Sequence, residues 1–156
     1  MAQIQKNNQP ITATADEQIL VVKCSTLFDG QTAWHGIKEV DFDAYIECIK
    51  EHKEFNPRSI MEEDTTYKQI IPYLVFTFDN KYFLMQRTAK STETRLKNKF
   101  SLGIGGHIRA EDLTNDSIMD WARREFHEEV SYNDAFSFEP LGILNDDSNA
   151  VGQVHI

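Results

Sequence analysis

Cysteine, proline and glycine are all scarce in this sequence. Cys24 and Cys48 are the only cysteines, so at most one disulfide is available and a disulfide-stapled scaffold is excluded. Seven glycines and four prolines in 156 residues exclude collagen-like and low-complexity chains. No apolar run approaches the roughly 18 residues that a membrane-spanning helix needs. The opening MAQIQKNNQP carries no apolar export signal, so reduced thiols and a cytoplasmic location are expected, away from any membrane. Basic residues are outnumbered, 16 Lys and Arg against 25 Asp and Glu, giving a net charge of −9 and a pI near 5.0. Binding of duplex nucleic acid by phosphate neutralisation is therefore excluded as a primary function. An anionic substrate would require a metal ion or a local basic patch to offset the repulsion.

What is present is apolar enough for one core: hydrophobic residues make up 40% and aromatics 11% of the chain. Gln18 to Phe28 reads as a strand ending at the Asp29-Gly30 turn signal. Phe42, Tyr45, Ile46 and Ile49 repeat at helical spacing, which predicts a helix over 41–55 with Asp41 as N-cap and Asn56-Pro57 as its stop. Tyr67 to Phe78 and Lys81 to Arg87 flank Asp79-Asn80 and read as a β-hairpin, with Pro72 at an edge or bulge. Lys90 to Lys99 is a polar, basic segment, followed by a glycine-interrupted strand from Phe100 to Ile108. A helix is expected over 115–129, capped by Thr114 or Asn115, with Ile118, Ala122, Phe126 and Val130 as its apolar stripe. Phe136 to Leu144 and Val151 to Ile156 read as further strands.

The chemistry lies on the second helix, in Arg124-Glu125-Phe126-His127-Glu128-Glu129. At 100° per residue, Glu125, Glu128 and Glu129 span an arc of about 100° beside the apolar stripe. Like charges at these spacings cost on the order of 0.2–0.5 kcal/mol per pair, and a hard divalent cation converts that repulsion into coordination. A solvated acidic face with Arg124 four residues before Glu128 accounts for the same residues without a metal. Gly105-Gly106, ending the strand upstream, favours the metal reading, because a backbone without Cβ lets a carbonyl or a phosphate approach closely.

These residues resemble the box of the Nudix hydrolases, G-x5-E-x7-R-E-U-x-E-E-x-G-U with U a bulky apolar residue. Gly106, Arg124, Glu125, Phe126, Glu128 and Glu129 occupy its positions. Two departures stand out. Five residues after Gly106 stands Asp112, preceded by Glu111, and 11 residues rather than 7 separate it from Arg124. Ser131 and Tyr132 replace the closing glycine and apolar residue. Four extra residues are close to one helical turn, and either Glu111 or Asp112 is a candidate partner for Arg124.

The resemblance implies a Nudix-like α/β/α sandwich with a mixed sheet, in the broader class of α+β folds. It divides the chain into an N-terminal strand-helix extension (1–66) and the Nudix domain (67–156). It implies a catalytic set of Arg124, Glu125, Glu128 and Glu129, with Glu125, Glu128, Glu129 and a carbonyl of Gly105 or Gly106 as metal ligands and Glu111 or Asp112 in support. The cofactor expected is Mg²⁺, with Mn²⁺ as a substitute. The activity implied is cleavage, by metal-activated water, of the diphosphate bond in a nucleoside diphosphate linked to another group. The competing reading is an inactive Nudix-like module that binds a nucleotide or a protein. A small nucleotide is the expected partner, and a homodimer the expected assembly. Arg87, Arg95 and Asp147 are candidate substrate contacts, and the Asp146-Asp147 pair is a candidate for the additional carboxylate, metal ligand or base, that the family often takes from a loop beyond the helix, with an acidic turn as the alternative; Lys90, Arg95, Lys97 and Lys99 offer a secondary phosphate contact but read more simply as a solvated loop. Because 24 residues follow Tyr132, where the family continues with more strands and a closing helix, the domain is expected to be C-terminally incomplete.

Other signals fail on spacing. Gly103-Ile104-Gly105-Gly106 lacks the ending of a P-loop, and His127-Glu128-Glu129-Val130-Ser131 lacks the second histidine of a zinc protease. No serine elbow is present. His107 and His127 have no partner at metal-ligand spacing and are expected to be structural or exposed.

Overall fold

The computed structural model describes residues 16–86, 100–113, 117–129 and 135–156, without the side chains of Glu125, Glu128 and Glu129. β1 (Gln18–Lys23) is the organising strand. Its outer residues are exposed and the four between, Ile19 to Val22, are buried, the pattern of a strand covered on both faces. It pairs antiparallel with β3 (Glu54–Pro57) on one side and β4 (Tyr67–Gln69) on the other, Leu20 facing Phe55 and Val22 facing Lys68. Alternation sends Leu20 and Val22 to one core and Ile19 and Val21 to a second, which Met61 completes.

α2 (Phe42–His52) covers the first core with Ile49, and α4 (Ile118–Glu129) covers it with Ile118, Trp121 and Ala122. α3 (Arg58–Met61) covers the second core with Met61. The sheet thus lies between helical layers, and the fold is the expected mixed α+β sandwich. Burial of a side chain the size of Trp121, 1% exposed, is worth about 2–3 kcal/mol.

Among the described residues, four two-stranded ladders complete the fold. β5 (Tyr73–Val75) pairs with β10 (Gly103–Gly105), and β2 (Gly36–Lys38) with β11 (Ile143–Asn145). β6 (Thr77–Phe78) pairs with β7 (Lys81–Tyr82), and β8 (Met85–Gln86) with β9 (Phe100–Ser101). All are antiparallel; among the described residues the one parallel pairing is the isolated bridge of Gln69 with His155.

Several expected elements take a different form. The strand from Gln18 stops at Lys23, and Cys24–Leu27 form a helical turn, α1, where the Cys24 amide donates to Thr66 O at 2.9 Å. α2 has the expected cap, Asp41 accepting from the Ala44 amide at 3.1 Å. It ends at His52 because Lys53 turns extended and the next residues pair with β1 as β3. Pro72 breaks the run from Tyr67, leaving β4, β5 and β6 as separate strands. Asp79 and Asn80 form the expected tight turn, both at positive φ (51° and 59°).

Thr114 and Asn115 lie outside the described residues, and at the start of α4 it is Ser117 whose Oγ accepts from the Asp120 amide, at 3.1 Å. Only Ile143–Asn145 of the expected strand 136–144 is a strand. The last segment is not a strand but a short helix, α5 (Ala150–Val154), started by Asn149, whose side-chain oxygen accepts from the Val151 and Gly152 amides.

Residues 16–66 share this packing. The Leu20 amide donates to Ile108 O at 2.7 Å and Leu20 O accepts from the Ile70 amide at 3.1 Å. The strand of the expected N-terminal extension is thus bonded to the segment that follows the Gly105-Gly106 pair.

Candidate active site

The site is built on α4. Ile118, Trp121, Ala122 and Phe126 are buried along its inner side. Phe126 stands 5.2 Å from the Phe76 ring and 4.5 Å from Phe136, and Phe136 meets Phe138 edge to face at 5.2 Å. Arg123 lies over Phe138 at 5.0 Å. The residue at the apolar position of the box is therefore an aromatic anchor, worth about 0.5–1.5 kcal/mol per ring pair beyond its burial. It fixes the rotation of the helix whose last two turns carry Glu125, Glu128 and Glu129.

A clasp holds the preceding loop to this helix. Asp112 ends a 3₁₀ turn, Ala110–Asp112, and its side chain is 4% exposed. One oxygen accepts from the Arg109 backbone amide and Nε, each at 3.0 Å, and the other from Arg109 Nη2 at 3.1 Å; Arg124 Nη2 lies 3.1 Å from that second oxygen as an ion pair. Burial pushes the Asp112 carboxyl up, but the Arg109 hydrogen bonds and the charges of Arg109 and Arg124 outweigh it and hold the group below the usual carboxylate range. Glu111 is 68% exposed and only approaches Arg109, at 3.7 Å. Of the two candidates, Asp112 is the partner of Arg124.

The glycines serve close strand pairing. A Cβ on Gly103 would fall on the Leu74 carbonyl, and one on Gly105 would lie 2.9 Å from the Tyr73 ring. Gly105 is exposed and Gly106 half-buried, and three residues after Gly106 begins the Arg109–Asp112 clasp.

The remaining expected residues are scattered. Arg87 and Arg95 lie outside the described residues, as do Lys90, Lys97 and Lys99. Asp147 is bound by Lys68, whose Nζ donates to its carboxylate at 2.5 Å and to Gly152 O at 2.6 Å. Because Lys68 is 1% exposed, Asp147 is its counter-ion inside the fold. Asp146 accepts from Ser148 and Asn149 and meets His35 at 3.2 Å. The bonds from Ser148 hold its carboxyl below the usual range.

Sequence spacing missed one grouping. Glu62, His107 and His155 each offer a ligand atom, all within 4.8 Å of one another. Burial, then the charges of Arg58 and His155, push the His107 imidazole down to about 4. No spacing rule joins residues so far apart in the chain, although His107 directly follows the glycine pair.

The crystal structure of Tm1382, described as "a putative Nudix hydrolase", superposes with a TM-score of 0.73 at 31% identity, over 89% of this chain and 72% of that one. The chain belongs to the Nudix hydrolase family. Its box is Gly106 to Tyr132, with Asp112 in the place of the first glutamate and four inserted residues before Arg124. Protein YmaB of Bacillus subtilis (strain 168) is 37% identical over 152 residues, 90% of this chain and 72% of that protein. No family model matches the chain. Among the described residues no helix is long and apolar enough to cross a membrane.

Proposed function

We propose that this Nudix protein is a Mg²⁺-dependent hydrolase that cleaves the diphosphate linkage of a nucleoside diphosphate derivative. The observation that carries the reading is the clasp of Asp112 with Arg124 at 3.1 Å. It ties the loop after the glycine pair to the helix bearing Glu125, Glu128 and Glu129, despite the altered spacing of the box.

Three carboxylates within five residues of one helix, together with backbone carbonyls of Gly105 and Gly106, would make an all-oxygen donor set, which suits Mg²⁺ or Mn²⁺. Glu125, Glu128 and Glu129 would hold the ion. When bound, the ion neutralises charge on the diphosphate oxygens and lowers the pKa of a coordinated water. The protein's own part is positioning. Phe126 sets the rotation of the helix, and Arg124 acts on Asp112 rather than on substrate, bracing loop against helix. Arg87 and Arg95 would contact the phosphates, offsetting locally the charge of −9. Residues 67–156 carry the reaction, and residues 1–66 support it through β1. Both cysteines are free thiols, which suits a reducing cytoplasm.

The test is to incubate the protein and Mg²⁺ with nucleoside diphosphate sugars, dinucleoside polyphosphates, ADP-ribose and NADH, then measure phosphate released after phosphatase treatment. Turnover of at least one class that disappears with EDTA is expected. No metal-dependent turnover across the panel would refute the proposal and leave a binding module.

A further inference from the structure

We propose that Glu62, His107 and His155 form a second metal site, selective for Zn²⁺-like borderline cations, built from residues outside the carboxylate set of α4. One ligand atom from each lies within 4.8 Å of the other two, and the rings of His107 and His155 meet edge to face at 5.6 Å. The surrounding hydrogen bonds fix the tautomer of each ring.

Gln69 is fully buried, and its Nε2 donates to Met61 O at 3.0 Å. Its Oε1 therefore faces His107 Nε2, 2.8 Å away, as an acceptor, so His107 carries its proton on Nε2 and leaves the Nδ1 lone pair free. His155 Nδ1 lies 2.8 Å from Val151 O. A carbonyl only accepts, so His155 carries its proton on Nδ1 and leaves Nε2 free. Each ring thus donates one N–H to a fixed oxygen and offers the other nitrogen, the arrangement that orients histidines as metal ligands. Arg58 Nε holds Glu62 Oε1 at 3.3 Å, leaving Oε2 available, and Arg58 is itself neutralised by Glu17 at 3.0 Å.

Two imidazoles and one carboxylate are a donor set for Zn²⁺ rather than Mg²⁺, with at least one position left for water. The three ligands come from the end of α3, from the segment following β10 and from the residue after α5. A bound ion would cross-link these three segments around Gln69 and brace the chain just before the Arg109–Asp112 clasp. The proposal does not depend on the hydrolase reading.

The test uses the intact protein carrying Glu128→Gln and Glu129→Gln, which weakens competing binding at α4. After chelator treatment, Zn²⁺ is titrated by calorimetry and Co²⁺ by visible absorption. One equivalent of Zn²⁺ is expected, with a rise in melting temperature and a Co²⁺ spectrum showing nitrogen ligation. His155→Ala and Glu62→Gln are each expected to weaken Zn²⁺ at least about tenfold while the far-UV spectrum is retained. Glu62 is exposed, so its variant tests the site even if His155→Ala perturbs the C-terminal segment. No Zn²⁺ binding by the folded protein, or unchanged affinity in either folded variant, would overturn the proposal.

Discussion

Replacing Asp112 by Asn tests whether the clasp beneath the box is an ionic lock or incidental contact. The substitution keeps shape and volume but removes the charge. Three hydrogen bonds from Arg109 and the ion-paired guanidinium of Arg124 converge on this side chain at 3.0–3.1 Å, and the new amide can accept on one atom only. Hydrogen bonds to a charged group are worth about 1.5–3 kcal/mol each when buried. Arg109 and Arg124 are 43% and 38% exposed, however, so solvent recovers much of what their guanidinium groups lose. The net cost expected for Asp112→Asn is about 2–3 kcal/mol, and for Arg124→Met, which leaves the Arg109 bonds in place, about 1–2 kcal/mol. The double variant should cost clearly less than the sum, with a coupling energy of about 1 kcal/mol. Urea unfolding of all four proteins at neutral pH measures this. Additivity within about 0.3 kcal/mol would refute the clasp. Its pH dependence provides a second check: a carboxyl held below its unfolded range stabilises above that range, and the contribution fades as pH falls through the folded pKa.

Asp147→Ala should destabilise the protein by about 2–4 kcal/mol in urea unfolding, because it strips the counter-ion from the buried Lys68 ammonium. A change in KM at unchanged stability would instead make Asp147 a substrate contact. His107, pushed down to about 4 from an ordinary 6.5, gives the same sign as Asp112 in a higher pH window. The unfolded chain takes up its proton first, so stability is full above about pH 6.5 and declines towards pH 4. The decline is about 1–2 kcal/mol after allowance for solvent, seen in chelator-treated protein and absent in His107→Gln. Gly103→Ala should open the β5–β10 pairing and cost about 2 kcal/mol or more, read as a fall in melting temperature; an unchanged value would contradict the close approach at Leu74.

What was legible in the sequence was local. Asp41 capping α2, the Asp79-Asn80 turn and the stripe of Ile118, Ala122 and Phe126 each depend on residues within a turn or two of one another. The box was legible through its carboxylate spacing, but the choice between Glu111 and Asp112 depends on which side chain faces Arg124, and no spacing encodes that. Val151 to Ile156 reads as a strand by composition, yet as far as Val154 it folds as a helix because Asn149 satisfies its first amides, and His155 makes a single bridge to Gln69. Residues 136–142 look equally strand-like, yet there the rings of Phe136 and Phe138 pack into the aromatic cluster beside Phe126. His107 reads as structural or exposed from the sequence because its neighbours Glu62 and His155 meet it only through the pairing of distant segments around Gln69.

The central claim is that the glutamates of α4 make this chain a metal-dependent hydrolase. Its most direct test is the Mg²⁺-dependent kcat of Glu128→Gln and Glu129→Gln, each beside the unaltered protein on the best substrate of the panel, with melting temperatures recorded alongside. The account predicts unchanged folding and a fall in kcat of about 10²–10³-fold in each, the effect of losing about 3–4 kcal/mol of transition-state stabilisation. Turnover in both variants equal to that of the unaltered protein would contradict it.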